Sequence, residues 1–336
     1  MKLIIPMAGK GTRLRPHSHT TPKPLLPVAG TMIIERIIQT FSRTLDRKID
    51  EIAFVLGDFG DEVKQTLTDM SRRHDAKATF YKQDEALGTA HAVYCAADSL
   101  EGEVIIVFAD TLFDTSQKVS VEGADSVIWL KHVDDPSRFG VAVEEEGRIT
   151  GFVEKPSELI SNLAIIGVYY FREGGELKKQ IEYLLQNRVV GHGDEYQLTD
   201  AIDRMLKDGK VFKPATVDEW LDCGTIPAWL DTSREIIKKE NSRPAGEYKN
   251  SKIVPPVYLA DGVSIEDSEI GPNVSLGAGS VISGSTIRDA IVLDEARVIN
   301  SRISNSTVGV RATVDHTRGE VHIGDDSTVS TNADKS

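Results

Sequence analysis

The stretch KLIIPMAGKGTRL, residues 2–14, sets an apolar run directly against two glycines and the first of several basic residues. A short apolar run ending in glycines reads as an inner strand of a parallel sheet, turning sharply at the carboxyl edge where ligands of such sheets bind. Its continuation RPHSHTTPKPLLPVAG, residues 15–30, adds Arg15 and a proline-flanked Lys23. Glycines let backbone N–H groups approach an anion without a Cβ in the way, so this loop with Arg13, Arg15 and Lys23 fits a triphosphate cradle. Spacing rejects two rival phosphate loops: a dinucleotide fingerprint requires glycine where Leu14 stands, and a P-loop requires Lys-Ser or Lys-Thr after the second glycine. A plain glycine turn ending the strand is the competing reading of the GxG alone.

Working outward, apolar runs EIAFVL (51–56), ATFYK (78–82), EVIIVFA (103–109) and DSVIWL (125–130) alternate with amphipathic segments. The segments 32–45, 60–73 and 89–100 carry apolar residues at helical spacing, which together with the strands predicts βαβ units and a mostly parallel sheet. From 139 to 171 the alternation shortens around the turn EEEGR, predicting an antiparallel insertion over a pocket. Helices are expected at 174–186 and 198–209, with the loop NRVVGHGDEYQ between them, and a polar helix at 231–244. Beyond about Lys252 single aliphatics recur among small and polar residues. Val257, Val263, Ile270, Leu276, Ile282, Ile287, Val298, Ile303 and Val308 recur at intervals of about five to seven, with one double interval between Ile287 and Val298, the signature of a left-handed β-helix with one inward residue per face.

The chain has 336 residues, 40% of them hydrophobic, with a formal net charge of -13. That charge opposes binding to nucleic acid or an anionic bilayer, so the basic residues near Arg13 point to a small anion. No apolar run approaches the roughly 20 residues of a membrane span, and no signal-peptide pattern opens the chain, which leads to the expectation of a soluble, cytoplasmic protein. Cys95 and Cys223 have no second cysteine at ligand spacing and are expected to be packed thiols. The histidines share no metal spacing and receive no role.

The segment GKGTRLRPHSHTTPKPLLPVAG closely resembles the signature of the sugar-1-phosphate nucleotidyltransferases, the nucleoside-diphosphate-sugar pyrophosphorylases. The resemblance continues in family order through YKQDEALGTAHAV, VFAD, DPSRFGVAV, GFVEKP, SNLAIIGVYYF, DEYQLTDAI and WLDCGT, covering residues 1 to about 230. Two positions depart from it: Ala8 stands where the family often has the first glycine, and Ala109 precedes the acidic residue where glycine is usual. The resemblance implies a Rossmann-like α/β nucleotidyltransferase domain over 1–232, followed by a linker helix (233–251), the β-helix (252–325) and a flexible tail (326–336).

It also implies roles. Ala8, Gly9, Gly11, Thr12 and Arg13 hold the triphosphate, Lys23 neutralises the leaving pyrophosphate, and Gln83, Gly88 and Thr89 recognise the base. Asp110 and Asp222 hold Mg²⁺, while Phe139, Gly140, Glu154, Lys155, Asn162, Tyr169 and Glu195 receive the sugar phosphate. Hard carboxylate oxygens suit Mg²⁺, and a reaction between two anions asks for positioning and charge neutralisation rather than a side-chain nucleophile. The expected substrates are an NTP, with dTTP or UTP preferred, and a sugar 1-phosphate, with glucose the default. The alternatives are a non-catalytic nucleotide-sugar regulatory subunit, a guanylyltransferase acting on mannose 1-phosphate, and a bifunctional enzyme whose β-helix transfers acetyl groups. The β-helix is otherwise expected to serve homo-oligomerisation or to pack against the catalytic domain.

Overall fold

The computed structural model describes residues 1–9, 11–45, 47–115, 118–240 and 248–331. The chain divides into two compact units, one formed by Met1–Lys10 with Ile34–Trp220 and the other by Gly11–Ile33 with Leu221–Ser336. The signature segment thus groups with the C-terminal third of the chain rather than with the strand that precedes it.

In the first unit the strands are β1 (Lys2–Pro6), β2 (Glu51–Leu56), β3 (Lys77–Lys82), β4 (Val104–Val107), β5 (Ser126–His132), β6 (Gly140–Glu145), β7 (Arg148–Glu154), β8 (Leu163–Phe171) and β9 (Phe212–Thr216). They form one sheet in the order β7-β6-β8-β4-β1-β2-β3, with β5 pairing β8 and β9 pairing β5. β1 lies parallel to both β4 and β2, and β2 parallel to β3. Leu3, Ile4 and Ile5 are wholly buried, as the apolar run predicts for a strand covered on both faces. The crossovers are α1 (Ile33–Thr44), α2 (Gly60–Arg73) and the short α3 (Thr89–Tyr94); α4 (Gly174–Gln186) and α5 (Leu198–Lys207) complete the layers.

Three expectations require correction. The helix predicted to run through residue 100 stops at Tyr94 and continues only as a 3₁₀ turn at Ala97–Ser99. β6 and β7 form the expected antiparallel hairpin. β8, however, belongs to the central sheet, antiparallel to β4 and β5, because its residues are buried along nearly the whole strand. β9 was hidden by the polar, proline-containing sequence FKPAT, whose partner β5 supplies the burial.

The second unit carries α6 (Ile226–Glu240) and the coils of a left-handed β-helix. Parallel pairing aligns residues 16 or 17 apart: Ile265 with Ile282, Val298 and Val314, and Ile270 with Ile287 and Ile303. Val263 is half-buried and packs against the β-helix core, as its spacing suggested, and Ile265, two residues on, is the more deeply buried residue of that face, at 4% exposure. The corners bend through positive φ at Asp267, Asn273, Asp289, Asn300 and Asn305, residues that tolerate the left-handed region. At one corner Ser251, Ser268, Ser285, Ser301 and Thr317 stack, the hydroxyl of each of the first four accepting the N–H of the next. Each accepted N–H belongs to the coil above, so the hydroxyls tie successive turns where strand pairing is interrupted.

Thr328–Ser330 pairs in parallel with Thr313–Asp315, so strand structure reaches into the stretch predicted as a tail; 332–336 lie outside the described residues. The polar helix predicted at 231–244 is present over 231–240 as part of α6, which begins earlier, at Ile226; its remainder, 241–244, lies outside them too. No helix among the described residues is long and apolar enough to cross a membrane. Neither cysteine is in a disulfide; Cys223 is buried and Cys95 half-buried.

Ile287 is fully buried in the β-helix core. Ile287→Ala is expected to cost about 2–5 kcal/mol, read as a lowered urea midpoint of the transition that includes the C-terminal unit.

Candidate functional site

The expected site residues fall into two groups, one in each compact unit. In the first unit, parallel pairing brings the carboxyl ends of β4, β1, β2 and β3 to one edge. Hydrogen bonding continues past the strands there: Met7 N–H donates to Val55 O at 2.9 Å, and Gln83 N–H to Leu56 O at 2.8 Å. A Cβ on Gly57 would stand 3.1 Å from Ala8 O, so the turn after β1 packs tightly beside its neighbour. Ala8, Gly9, Gln83 and Asp110 therefore share the edge that the opening stretch predicts for ligands.

Asp110 is exposed three residues beyond the end of β4. Phe108 N–H donates to Gly167 O at 3.0 Å, and Asp110 N–H to Phe108 O at 2.9 Å. Gly167 has φ +80° at an irregularity in the β8–β5 pairing, so a glycine-dependent bend in β8 shapes the turn that presents Asp110. Tyr169, two residues on, is buried, and its phenol is pushed up by burial and then by the Glu154 and Asp110 carboxylates. One buried phenol thus feels both the expected metal ligand and the expected sugar ligand.

Glu154 ends β7. Thr199 at the start of α5 donates its hydroxyl to Glu154 Oε2 at 2.9 Å, and a Cβ on Gly140 would stand 2.8 Å from the same oxygen. Glycine at 140 is needed to let that carboxylate approach the backbone. Lys155 is exposed at φ +42°, its N–H donating to Phe139 O at 3.1 Å, and the Phe139 ring meets Trp220 edge-on at 4.9 Å. Asn162 is half-buried, with its carbonyl accepting Val133 N–H. Asp200, whose carboxyl is pushed up by burial and then by Glu154 and Asp203, joins this acidic cluster. Thr199, Asp200 and Trp220 were not singled out from sequence; the first two lie in the matched run DEYQLTDAI, in the opening turn of a helix.

The base-recognition candidates dock on that same run. Tyr196 N–H donates to Leu87 O and Ala90 N–H to Tyr196 O, both at 2.9 Å. Gly88 sits between them at φ +114°, ψ 177°, a region open only to glycine, and a Cβ would stand 2.5 Å from Tyr196 O. Gln83 Nε2 lies 3.2 Å from His91 Nδ1. Thr89 is occupied structurally: its hydroxyl accepts Leu198 N–H at 2.9 Å, satisfying the start of α5. Glu195 is exposed, with one carboxylate oxygen 3.3 Å from Gln197 Nε2.

The second unit holds Arg13, Lys23 and Asp222. Thr12–Leu14 and Lys23–Leu25 are single 3₁₀ turns, the first entered through Gly11 at φ +56°. Ser18 donates its hydroxyl to Gly11 O at 2.7 Å, and Leu14, Leu26 and Val28 are buried. Asp222 Oδ1 accepts Gly224 N–H at 2.6 Å, while its backbone oxygen accepts Thr232 Oγ1 at 2.6 Å. A Cβ on Gly224 would stand 2.8 Å from Asp222 Oδ1 and 3.4 Å from an Arg13 Nη. Arg13 and Asp222, 209 positions apart in sequence, therefore converge over one glycine.

His17, given no role from sequence, is buried here against Trp229, ring centroids 5.3 Å apart. Burial lowers its pKa to about 4, with His322 also lowering it and Asp325 acting in the opposite sense.

Among the described residues no three His, Cys, Asp or Glu side chains gather as a metal cage. The exposed carboxylates of Asp110 and Asp222 offer hard oxygens singly. Either carboxylate taken by itself suits Mg²⁺, which keeps waters and takes one or two carboxylates alongside substrate phosphates.

Comparison with known proteins gives the family of the chain. The sequence model of the family described as nucleotidyl transferase matches residues 2–239. Glucose-1-phosphate thymidylyltransferase of Streptomyces antibioticus is 28% identical over 338 residues, covering 92% of each chain. The low-salt glycan biosynthesis nucleotidyltransferase Agl11 of Haloferax volcanii is 29% identical over 343 residues, covering 94% of each. A UDP-glucose pyrophosphorylase solved with UDP-glucose superposes with a TM-score of 0.59 at 23% identity, over 71% of this chain and 98% of that one, a likeness of fold. Nucleotidyltransferases of this family generally use a divalent metal.

Gly88→Ala is expected to cost about 1–3 kcal/mol, since it forces alanine into a glycine-only conformation, and to speed hydrogen exchange at the Tyr196 and Ala90 amides. For His17, the folded pKa lies below the unfolded value of about 6.5, so the unfolded chain binds the extra proton between the two. Its contribution is therefore complete above pH 6.5 and lost as pH falls towards 4, on the order of 3 kcal/mol in all. His17→Gln should flatten that part of a stability-against-pH curve measured by urea denaturation.

Proposed function

Because the chain belongs to the nucleotidyl transferase family, we propose that it joins a nucleoside triphosphate to a sugar 1-phosphate, releasing pyrophosphate and an NDP-sugar. The observation that carries this reading is the convergence of Arg13 and Asp222 over Gly224, a cation and a carboxylate from distant motifs meeting where a metal-bound phosphate can sit. An oxygen of the sugar phosphate attacks the α-phosphorus in line, and the bond to the bridging oxygen of pyrophosphate breaks. No enzyme nucleophile takes part. Arg13 holds the triphosphate and Lys23 offsets charge on the leaving pyrophosphate, while Ala8, Gly9, Gly11 and Thr12 offer backbone N–H groups. Gln83 and Gly88 face the base. Glu154, fixed by Thr199, orients sugar hydroxyls, Lys155 takes the sugar phosphate, and Phe139, Gly140, Asn162, Tyr169 and Glu195 complete that side. Asp110 and Asp222 each offer hard oxygens to Mg²⁺, which would supply charge neutralisation between two anions that otherwise repel.

The named activities of the relatives support glucose 1-phosphate as acceptor and dTTP as donor, with UTP next. The amide of Gln83, which can donate and accept along a pyrimidine edge, agrees with that choice.

A matrix of four NTPs against several sugar 1-phosphates with Mg²⁺, followed by pyrophosphate release, tests the reading. The highest kcat/KM is expected for a pyrimidine triphosphate with glucose 1-phosphate, and absence of turnover with every pair would overturn it. Asp110→Asn is expected to lower kcat/KM by about 100-fold or more with unchanged circular dichroism, as for removal of one preorganised charge-stabilising group.

A further inference from the structure

We propose that the last coils of the β-helix position the triphosphate-binding segment, through a hydroxyl relay that runs His17–Thr307–His322 and a second contact between Thr20 and Asp325. This inference rests on the reading above that residues 11–26 carry the triphosphate contacts. The segment has little structure of its own: three isolated 3₁₀ turns, at Thr12–Leu14, His17–His19 and Lys23–Leu25. Single turns of this kind are weakly held by local hydrogen bonds, so their order must come from long-range partners.

Those partners are C-terminal. His17 Nε2 lies 2.7 Å from Thr307 Oγ1, a fully buried hydroxyl whose oxygen lies 2.9 Å from His322 Nδ1. His322 Nε2 in turn lies 2.9 Å from Glu320 Oε1. His17 Nδ1 is buried with no partner among the described residues. A bare lone pair there costs less than an orphaned N–H, which assigns the proton to Nε2 and the direction of the relay: His17 donates to Thr307, and Thr307 donates to His322. Three residues along, Thr20 donates to Asp325 Oδ2 at 2.5 Å, while Asp325 Oδ1 accepts Val310 N–H at 2.8 Å. Asp325 is thereby fixed to the coil before it holds Thr20.

Close packing reinforces both contacts. A Cβ on Gly324 would stand 3.1 Å from Pro16 Cβ, and one on Gly30 would fall 2.0 Å from the Tyr258 hydroxyl oxygen. The indole N–H of Trp229, from α6, donates to Pro27 O at 2.9 Å. The segment is therefore gripped at residues 16, 17, 20, 27 and 30, which flank Arg13 and Lys23. Thr307, His322 and Asp325 are positioning residues.

The test is Thr307→Val, which keeps shape and removes the hydroxyl, with Thr307→Ser as the rescue variant and the more exposed Thr20→Val as the second probe. In steady-state kinetics the valine variants are expected to raise KM for the NTP by about five- to tenfold with KM for the sugar 1-phosphate unchanged, and Thr307→Ser to restore it. Hydrogen exchange followed by mass spectrometry is expected to show faster exchange over residues 11–26 than in the parent protein. If Thr307→Val fails to fold, Thr20→Val carries both measurements. A fall in kcat that merely follows the folded fraction, with both KM values and exchange over 11–26 unchanged, would overturn the proposal. The exchange measurement needs no turnover, so it judges the positioning role even if the matrix of substrates shows no activity.

Discussion

Burial of β1 on both faces, between two parallel neighbours, is the constraint on which the first unit depends. With Leu3, Ile4 and Ile5 removed from water, the strand can neither slip by one residue nor shift to an edge without exposing this set. Parallel pairing then requires the carboxyl ends of β4, β1, β2 and β3 to finish together. Chemistry-bearing residues accumulate where the ladder stops because backbone N–H groups and turns become available only there. Asp110 and Gln83 reach the same edge from segments 27 positions apart by that geometric rule alone.

The second unit answers a different problem. Residues 11–26 contain the cations expected to meet a triphosphate, yet they are rich in proline and form only isolated 3₁₀ turns. A parallel β-helix is a suitable support, since every coil is tied to the next by strand pairing and by the serine and threonine hydroxyls of one corner. α6 lies with the same unit, its Trp229 buried against His17. The signature segment is thus held by residues that come two hundred and more positions later.

Much of this was readable beforehand. The apolar runs located β1 through β5, and the helical spacing at 60–73 matches α2 as observed. Those features depend on local sequence, where burial and periodicity leave a direct mark. The misplaced features depend on neighbours. Ile265, the most buried residue of its face, escapes a count of five or six because the coil advances 16 or 17 residues per turn. FKPAT has no strand pattern until β5 covers it. At the site, Arg13, Asp110, Asp222 and Glu154 could be singled out because motifs carried them, whereas Thr199, which fixes Glu154, and His17 could not. A lone hydroxyl or imidazole has no periodic signal; its meaning is the atom it meets.

The chemistry of the supporting contacts also follows from charge. A segment meant to present Arg13 and Lys23 to a polyanion gains nothing from carboxylates paired directly with those side chains, because each such pair would have to be broken when the phosphates arrive. Neutral hydrogen bonds avoid that cost. His17, kept uncharged by burial, meets a threonine, and the carboxylate that is used, Asp325, takes its bonds from a threonine hydroxyl and a backbone amide. The bonds are modest singly, about 0.5–1.5 kcal/mol net each, but they are directional and buried in part, which suits them to fixing a position rather than to adding stability. Protonating His17 removes the neutral state on which its burial depends, so acidification loosens the scaffold of the segment through a residue that is not among those expected to touch the phosphates.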